Sequence, residues 1–347
     1  MSDECSLQLL IVVVTFNSEA TIGNCLANLQ LLEPPSAISA HVVIVDNASR
    51  DTTVEIVQRF LAANPNFPAT LVRSASNRGW GAGNNLGLAN APNRPSLVLF
   101  HNPDVSVGQD SLIAMTKLIG MDCNYAAVVP CFLASGGARV GVLPHPRLGW
   151  MILDGMIQQK RAKHKLQKEL MTQPEKAATS SGYPSGALVL IRVDIFDIVG
   201  GFDERYLAYW DDVDIGRRLS AAGYLVASSN ASIATHDRGS GSQIPGEDDT
   251  SRLRRMIYTH SQLQFISKWY GPSVARLVAL YKALLHYRIL SLSRRCIGKR
   301  TLDFNPSRLV CREFMLDGRM SISRLEYLIQ QQSMHPRAHK GHDMAGG

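Results

Sequence analysis

At 347 residues, 45% hydrophobic and 19% charged, the chain is long enough for one large α/β domain with an appendage, or for two modest domains. Its composition is that of a soluble globular protein, and no run reaches the roughly 18 apolar residues of a spanning helix. The acidic start lacks the basic n-region of a secretory signal, and the six cysteines form no CxxC pair, which argues against zinc knuckles and redox motifs. A cytoplasmic location is expected. The net charge of +7 is uneven: Ser251 to Gly347 carries +12, which leaves −5 on the first 250 residues.

In chain order, "LLIVVVTF", "HVVIVDNA", "ATLVRS" and "SLVLFHNPD" are short β-branched runs that close on polar or turn residues. Helical spacing separates them, with Ile22, Leu26 and Leu29 on one face of the first helix and Val54, Val57 and Leu61 on one face of the second. Such alternation predicts βαβ units and a mostly parallel, Rossmann-like sheet covered by helices. In sheets of this kind ligands bind beyond the carboxyl ends of the strands, where Asn17, Asp46 and Asp104 fall. A basic, helical insertion is expected over about 145–181. The α/β pattern resumes at "GALVLIRVDIFDIVGGFDERY", followed by a helix from Asp212 to about Tyr224, with Asp211 near its N-cap. A strand is expected over "LVASSNASIAT". These boundaries give a catalytic domain over 1–245, a helical, basic region over 246–330 and a disordered tail over 331–347.

Several residues could carry chemistry. "FHNPDV" places Asn102 and Asp104 at a strand end, where Asp104 could hold a divalent cation whose shell is completed by diphosphate oxygens, or could close an Asx turn. Asp46, in "VDNASRD", could accept hydrogen bonds from a nucleobase or ribose. Gly79, Gly81 and Gly83 in "NRGWGAGNN" either let backbone N–H groups approach a ligand or belong to a flexible surface loop. "YWDDVDIGRR" crowds Asp211, Asp212 and Asp214 into four positions. Such a cluster favours a helix N-terminus or serves a site that binds cations or moves protons.

Taken together, "VVVTFNSEATIGNCL", "VIVDNASRDTT", "NRGWGAGNNLGL", "FHNPDV", "PSGALVLIRVDIFDIVGGFDERYLAYWDDVDIGRRLSAAGY" and "ATHDRGSG" resemble the family 2 glycosyltransferases of GT-A fold, in particular their bacterial rhamnosyltransferase-like branch. The resemblance spans about residues 9–241. The family often has Leu where His101 stands, and Glu-Asp where this chain has Asp211-Asp212. The Trp210-Asp211-Asp212 form is similar to that of galactofuranosyltransferases, so rhamnose and galactofuranose both remain open. The resemblance implies a metal-dependent, inverting transfer from a dTDP- or UDP-linked sugar to a glycan or polyprenyl-linked acceptor, with Mn²⁺ or Mg²⁺ as the cofactor. Asp212 would be the base, and Asp211 would orient acceptor hydroxyls or hold the loop. Asp104 and His236 would bind the metal. Thr15, Asn17, Asp46, Arg78, Gly79, Asn102, Gly186, Ala187 and Trp210 would line the nucleotide and donor sites. A non-catalytic scaffold that binds a nucleotide sugar is the rival from another class.

The C-terminal "SVARLVALYKALLHYRILSLSRRCIGKR" mixes apolar residues at helical spacing with Arg276, Lys282, Arg288, Arg294 and Arg295. Either an ordinary packed helix or a helix peripheral to an anionic membrane fits this pattern. The charge matches no nucleic-acid-binding motif, and nucleic acid is not expected as a partner.

Overall fold

A computed structural model of the chain describes residues 7–33, 35, 38–133, 139–152, 178–236, 247–297 and 307–333. It comprises two compact units, Met1–Pro245 and Gly246–Gly347. Most of the basic insertion expected over 145–181 and nearly all of the expected tail lie outside the described residues.

The first unit runs β1 (Leu7–Thr15), α1 (Ile22–Gln30), β2 (Ile38–Asp46), α2 (Thr53–Ala63), β3 (Ala69–Arg73), α3 (Trp80–Ala89), β4 (Leu97–His101), β5 (Val105–Val107), α4 (Gln109–Gly120), β6 (Tyr125–Leu133), β7 (Arg139–Val140), α5 (Leu148–Ile152), β8 (Ala178–Ser180), β9 (Leu188–Arg192), α6 (Val193–Ile198), α7 (Asp211–Ala221) and β10 (Leu225–His236). Its sheet has the order β3-β2-β1-β4-β9-β6-β10-β5, with β7 on β6 and β8 on β10. The β3-β2-β1-β4 half is parallel throughout, as the alternation of strands and helices predicts. Beyond it the sheet is mixed, because β9 enters antiparallel to both β4 and β6. Strand periodicity does not encode direction, so that reversal leaves no local trace.

Side chains alternate across a strand, and both faces of β1 are buried. Leu9, Ile11 and Val13 join Ile22, Leu26 and Leu29 of α1 and Leu112, Met115 and Ile119 of α4. Leu10, Val12 and Val14 join Val193, Ile195 and Phe196 of α6 and Ile215 and Leu219 of α7. This two-sided burial explains why the strands read as continuous apolar runs.

The glycine-rich stretch is neither a flexible loop nor an open backbone cradle. From Trp80 it is helical, and its glycines let α3 lie close against β1. A Cβ on Gly87 would fall 2.3 Å from Val12 Cγ1, and one on Gly83 would fall 2.7 Å from Val14 Cγ1. Helix α7 begins one residue earlier than expected, at Asp211, and Trp210 is its N-cap.

The second unit comprises α8 (Glu247–Tyr270), α9 (Pro272–Ile297), α10 (Ser307–Asp317) and α11 (Ile322–Ser333). Gly271, with φ +94°, turns the chain, and Pro272 opens α9 with its φ already suited to a helix. Buried Leu263, Phe265, Ile266, Val278, Val310, Phe314 and Leu325 fill its interior. His260 Nε2 donates to Met320 O at 2.9 Å and Ser267 Oγ to Gly318 O at 2.8 Å, which ties α8 to the α10–α11 turn.

Gly87→Ala is expected to destabilise the first unit by about 1–3 kcal/mol despite the better helix propensity of alanine, because Val12 is fully buried and cannot retreat. Gly108→Ala, at a position with nothing within 4 Å of the added carbon, serves as the control. Thermal unfolding of the two variants checks this.

Candidate active site

The carboxyl end of the parallel half-sheet gathers polar residues in two places. In the first, register pairs Thr15 with Asp46 across β1 and β2. Asp46 is buried; its carboxylate accepts from Ser49 N at 3.2 Å and from Thr15 Oγ1 at 3.4 Å. Asn17 adopts the left-handed φ of +50° that asparagine tolerates. Its Oδ1 accepts from Arg50 N at 2.9 Å, and its own N–H donates to Ser49 Oγ at 2.9 Å. Thr15, Asn17 and Asp46 are therefore held around one loop, Asn47 to Arg50.

The second place lies where β4 ends. Asn102 N donates to Ala187 O at 2.9 Å, Asn102 O accepts from Val105 N at 3.2 Å, and Asn102 Oδ1 accepts from the indole N–H of Trp80 at 2.7 Å. On the other side of Ala187, Gly186 N donates to Asp212 Oδ2 at 3.3 Å. Two consecutive residues thus connect the Asn102-Pro103-Asp104 turn to the Asp212 carboxylate. A Cβ on Gly186 would lie 3.4 Å from Trp80 Cη2 and 3.5 Å from Asp212 Cβ, ordinary contact distances, so this position borders both side chains.

Asp104 acts electrostatically on two buried neighbours, His101 and Cys25, whose Nδ1 and Sγ are 3.8 Å apart. Burial lowers the His101 pKa to about 4, so His101 fills the end of β4 as a neutral ring. His236 ends β10, and its Cα pairs with Val105 across β10 and β5, next in sequence to Asp104. The side chain of His236 is outside the described residues. No group of three or more His, Cys, Asp or Glu suited to a metal occurs among the described residues. Among the described residues Asp104 alone stands at this turn as a candidate ligand, to be joined by oxygens from a substrate and water. That donor set fits a hard divalent cation, which commonly keeps one or two protein carboxylates when phosphates complete its shell.

The three carboxylates of α7 separate by environment. Asp214 is fully buried; its Oδ2 accepts from Arg218 Nε at 2.9 Å and its Oδ1 from Tyr206 OH at 3.4 Å, the structural pairing its i,i+4 spacing suggests. Asp211 is buried, its Oδ1 accepts from Asp212 N at 3.1 Å, and its Oδ2 has no hydrogen-bond partner among the described residues. That oxygen lies 3.8 Å from where a Cβ on Gly81 would stand, so it points toward α3. Desolvation, and then the charge of Asp212, push the Asp211 pKa well above the usual carboxylate range. Asp212 is half-buried, and desolvation raises its pKa while N–H groups of Gly186 and Val213 oppose the rise. The turn before them is strained: Tyr209 and Trp210 hold φ of +66° and +67°, a conformation that costs a non-glycine residue about 1–3 kcal/mol. Trp210 itself is buried.

Gly79 and Arg78 are tied to the segment that precedes α7. Gly79 has φ +100°, and a Cβ there would sit 2.4 Å from Leu207 O, so only glycine fits. Arg78 is exposed and paired with Glu204. Sequence reasoning missed Trp80, whose indole reaches from Asn102 to the edge of Gly186. A bulky N–H donor flanked by two glycines was the available signal.

Residues 10–187 match the model of the family described as Glycosyl transferase family 2. The chain belongs to that family and is a glycosyltransferase. It is similar to the N-acetylglucosaminyl-diphospho-decaprenol L-rhamnosyltransferase of Mycobacterium tuberculosis, at 29% identity over 262 residues that cover 70% of this chain and 79% of the relative. It is also similar to the rhamnosyltransferase WbbL of Escherichia coli K12, at 26% identity over 244 residues, 66% of this chain and 85% of the relative. Among solved structures, it resembles GalNAc-T7 with UDP, GalNAc and Mn²⁺, with a TM-score of 0.57 at 14% identity over 96% of this chain and 57% of that one. It also resembles the mannosyltransferase PcManGT of Pyrobaculum calidifontis in complex with GDP-Man and Mn²⁺, with a TM-score of 0.50 at 17% identity over 94% and 86%. These likenesses show the fold, which is GT-A, the Rossmann-like α/β class expected from the motifs.

Asp211→Asn is expected to raise the melting temperature by roughly 2–4 °C at pH 8, with a gain that vanishes toward pH 4. A carboxyl whose folded-state pKa lies above its unfolded value of about 3.9 costs nothing below that value, and the cost grows as pH rises. Thermal melts of both proteins across this range check the sign.

Proposed function

We propose that this chain is an inverting, metal-dependent rhamnosyltransferase that moves the sugar from a dTDP-linked donor to a polyprenyl-linked or other cell-surface glycan acceptor. The observation that carries the reading is the pair of hydrogen bonds through which Gly186 and Ala187 join the Asp212 carboxylate to the Asn102-Pro103-Asp104 turn. Inversion needs a base on one side of the anomeric carbon and a stabilised leaving group on the other.

In this reading the diphosphate lies against the turn, and Asp104 and His236 would hold the metal ion. When bound, the ion offsets the charge that builds on the departing nucleoside diphosphate. Thr15, Asn17 and Asp46 take the nucleoside. Gly186 leaves room for the sugar. Asp212 Oδ2 accepts the proton of the acceptor hydroxyl as that oxygen attacks the anomeric carbon. The raised pKa of Asp212 suits it to this task, since a base works best with a pKa near the operating pH. Asp211, buried and turned toward α3, holds the loop. Similarity to two rhamnosyltransferases, one of them named for an N-acetylglucosaminyl-diphospho-decaprenol acceptor, supports the donor and acceptor classes. The Trp210-Asp211-Asp212 form favours UDP-galactofuranose as a second reading.

A lipid-linked acceptor calls for a membrane surface, and α9 offers one. Leu277, Leu280, Tyr281 and Leu284 form an exposed stripe beside exposed Arg276, in a region of strongly positive sequence charge. No helix among the described residues is long and apolar enough to cross a membrane. In this reading the stripe lies on an anionic lipid face as a peripheral contact.

Purified protein incubated with a panel of nucleotide sugars, lipid-linked acceptors and Mn²⁺ or Mg²⁺ is expected to release nucleoside diphosphate. Release of pyrophosphate, or of nothing across a competent panel, contradicts the reading. Asp212→Asn is expected to lower kcat by at least 10³-fold while leaving donor affinity nearly unchanged. The acidic limb of the wild-type pH–rate profile is expected above the usual carboxylate pKa of about 4, with activity lost as pH falls and the base protonates. For the membrane contact, Leu277→Glu with Leu284→Glu is expected to cut co-sedimentation with anionic vesicles more than tenfold. Unchanged binding of that variant would remove α9 from the account.

A further inference from the structure

We infer that Trp80 is a positioning residue that orients the Asn102 side chain so that its amide N–H groups, and not its carbonyl oxygen, meet the donor's diphosphate. This rests on the reading that the diphosphate lies against the Asn102-Pro103-Asp104 turn.

An indole nitrogen can only donate a hydrogen bond, so the Asn102 atom 2.7 Å from Trp80 Nε1 must be the oxygen. The orientation of the amide is thereby set by chemistry. The backbone of Asn102 is committed on both sides, its N–H to Ala187 O and its C=O to Val105 N. With Oδ1 also taken, the Nδ2 amino group and its two N–H donors remain to meet a ligand. Donors suit an anion. A carbonyl oxygen presented in their place would add repulsion two residues from the Asp104 carboxylate.

The indole is itself held in place. Trp80 is the first residue of α3, its N–H donates to Leu207 O at 3.1 Å, and its carbonyl accepts from Asn84 Nδ2 at 3.0 Å. Its ring packs edge-on against Phe202, with centroids 4.8 Å apart and planes at 67°, and against Phe100 at 6.4 Å and 65°. The far edge of the ring stands 3.4 Å from the site of a Cβ on Gly186, and Asp212 Oδ2 is 3.7 Å from the same point. One rigid side chain thus spans from the turn to the vicinity of the base.

The test is calorimetric titration of UDP and dTDP, with Mn²⁺ present, into the wild type and into Trp80→Phe, Asn102→Ala and the double variant. Uridine and thymidine are titrated in parallel. Trp80→Phe keeps an aromatic ring in the Phe100–Phe202 packing and removes only the N–H and the outer ring edge. It is expected to weaken diphosphate binding about 5–20-fold and to leave the nucleosides unchanged, a selectivity that general loosening of the fold would not produce. The double variant is expected to bind no more weakly than Asn102→Ala alone, since both changes act through one amide. In turnover, Trp80→Phe is expected to raise the donor KM with kcat within about threefold. Asn102→Asp keeps an acceptor for the indole but replaces the N–H donors with oxygen, so it is expected to lose at least as much diphosphate affinity, with the Trp80 packing untouched. Wild-type affinity in Trp80→Phe or Asn102→Asp, losses that multiply in the double variant, or equal losses for nucleosides would each overturn the proposal alone. Wild-type protein that binds neither nucleotide would overturn it together with the reading beneath it.

Discussion

The site depends on two adjacent residues acting in opposite directions. Gly186 gives its N–H to Asp212, and Ala187 gives its carbonyl to the N–H of Asn102. Because they are neighbours just before β9, the position of β9 in the sheet fixes both the Asp212 carboxylate and the turn at the end of β4. The antiparallel pairing of β4 with β9, His101 opposite Leu188, is what aligns these two hydrogen bonds with their partners. A Cβ at 186 would stand at ordinary contact distance from both Trp80 and Asp212, so this position borders the two side chains at once. The sheet's departure from parallel order is therefore what brings the Asp212 carboxylate and the Asn102 turn to one junction.

The start of α7 concentrates unfavourable terms. Two consecutive non-glycine residues hold left-handed backbone, a buried carboxylate has an oxygen without a hydrogen-bond partner, and a second carboxylate is partly desolvated beside it. Each costs on the order of 1–3 kcal/mol. They persist because the surroundings are rigid. The Asp214–Arg218 pair anchors the first turn of the helix, Tyr206 is fully buried beside it, and the glycines of α3 allow that helix to pack closely against β1. Strain and perturbed carboxylates gathered beside one hydrogen-bonded junction mark the start of α7 as a candidate functional site.

Much of this was legible in the sequence. The β-branched runs fixed β1 to β4 because two-sided burial leaves continuous apolar segments, and the polar residues that close those runs marked the carboxyl edge of the sheet. The crowding of Asp211, Asp212 and Asp214 pointed to α7, although which carboxylate faces the junction depends on the Gly186 hydrogen bond, which no spacing announces. For the glycines of "NRGWGAGNN" the sequence leaves two readings, close approach of backbone N–H groups to a ligand or a flexible surface loop. Their use in packing depends on Val12 and Val14 lying beneath them, a contact between distant parts of the chain. Trp80 escaped notice because its function depends on Asn102, which reaches it only once β4 and α3 are side by side.

The central claim is that a base and a leaving group are held on opposite sides of one carbon by a single hydrogen-bonded junction. The stereochemistry of the product tests it most directly. NMR of the sugar transferred by the purified enzyme should show an anomeric configuration opposite to that of the donor, at the first time points and throughout the reaction. A product that retains the donor's configuration would require attack from the leaving-group side or a covalent intermediate, and it would contradict the assignment of Asp212 as the base.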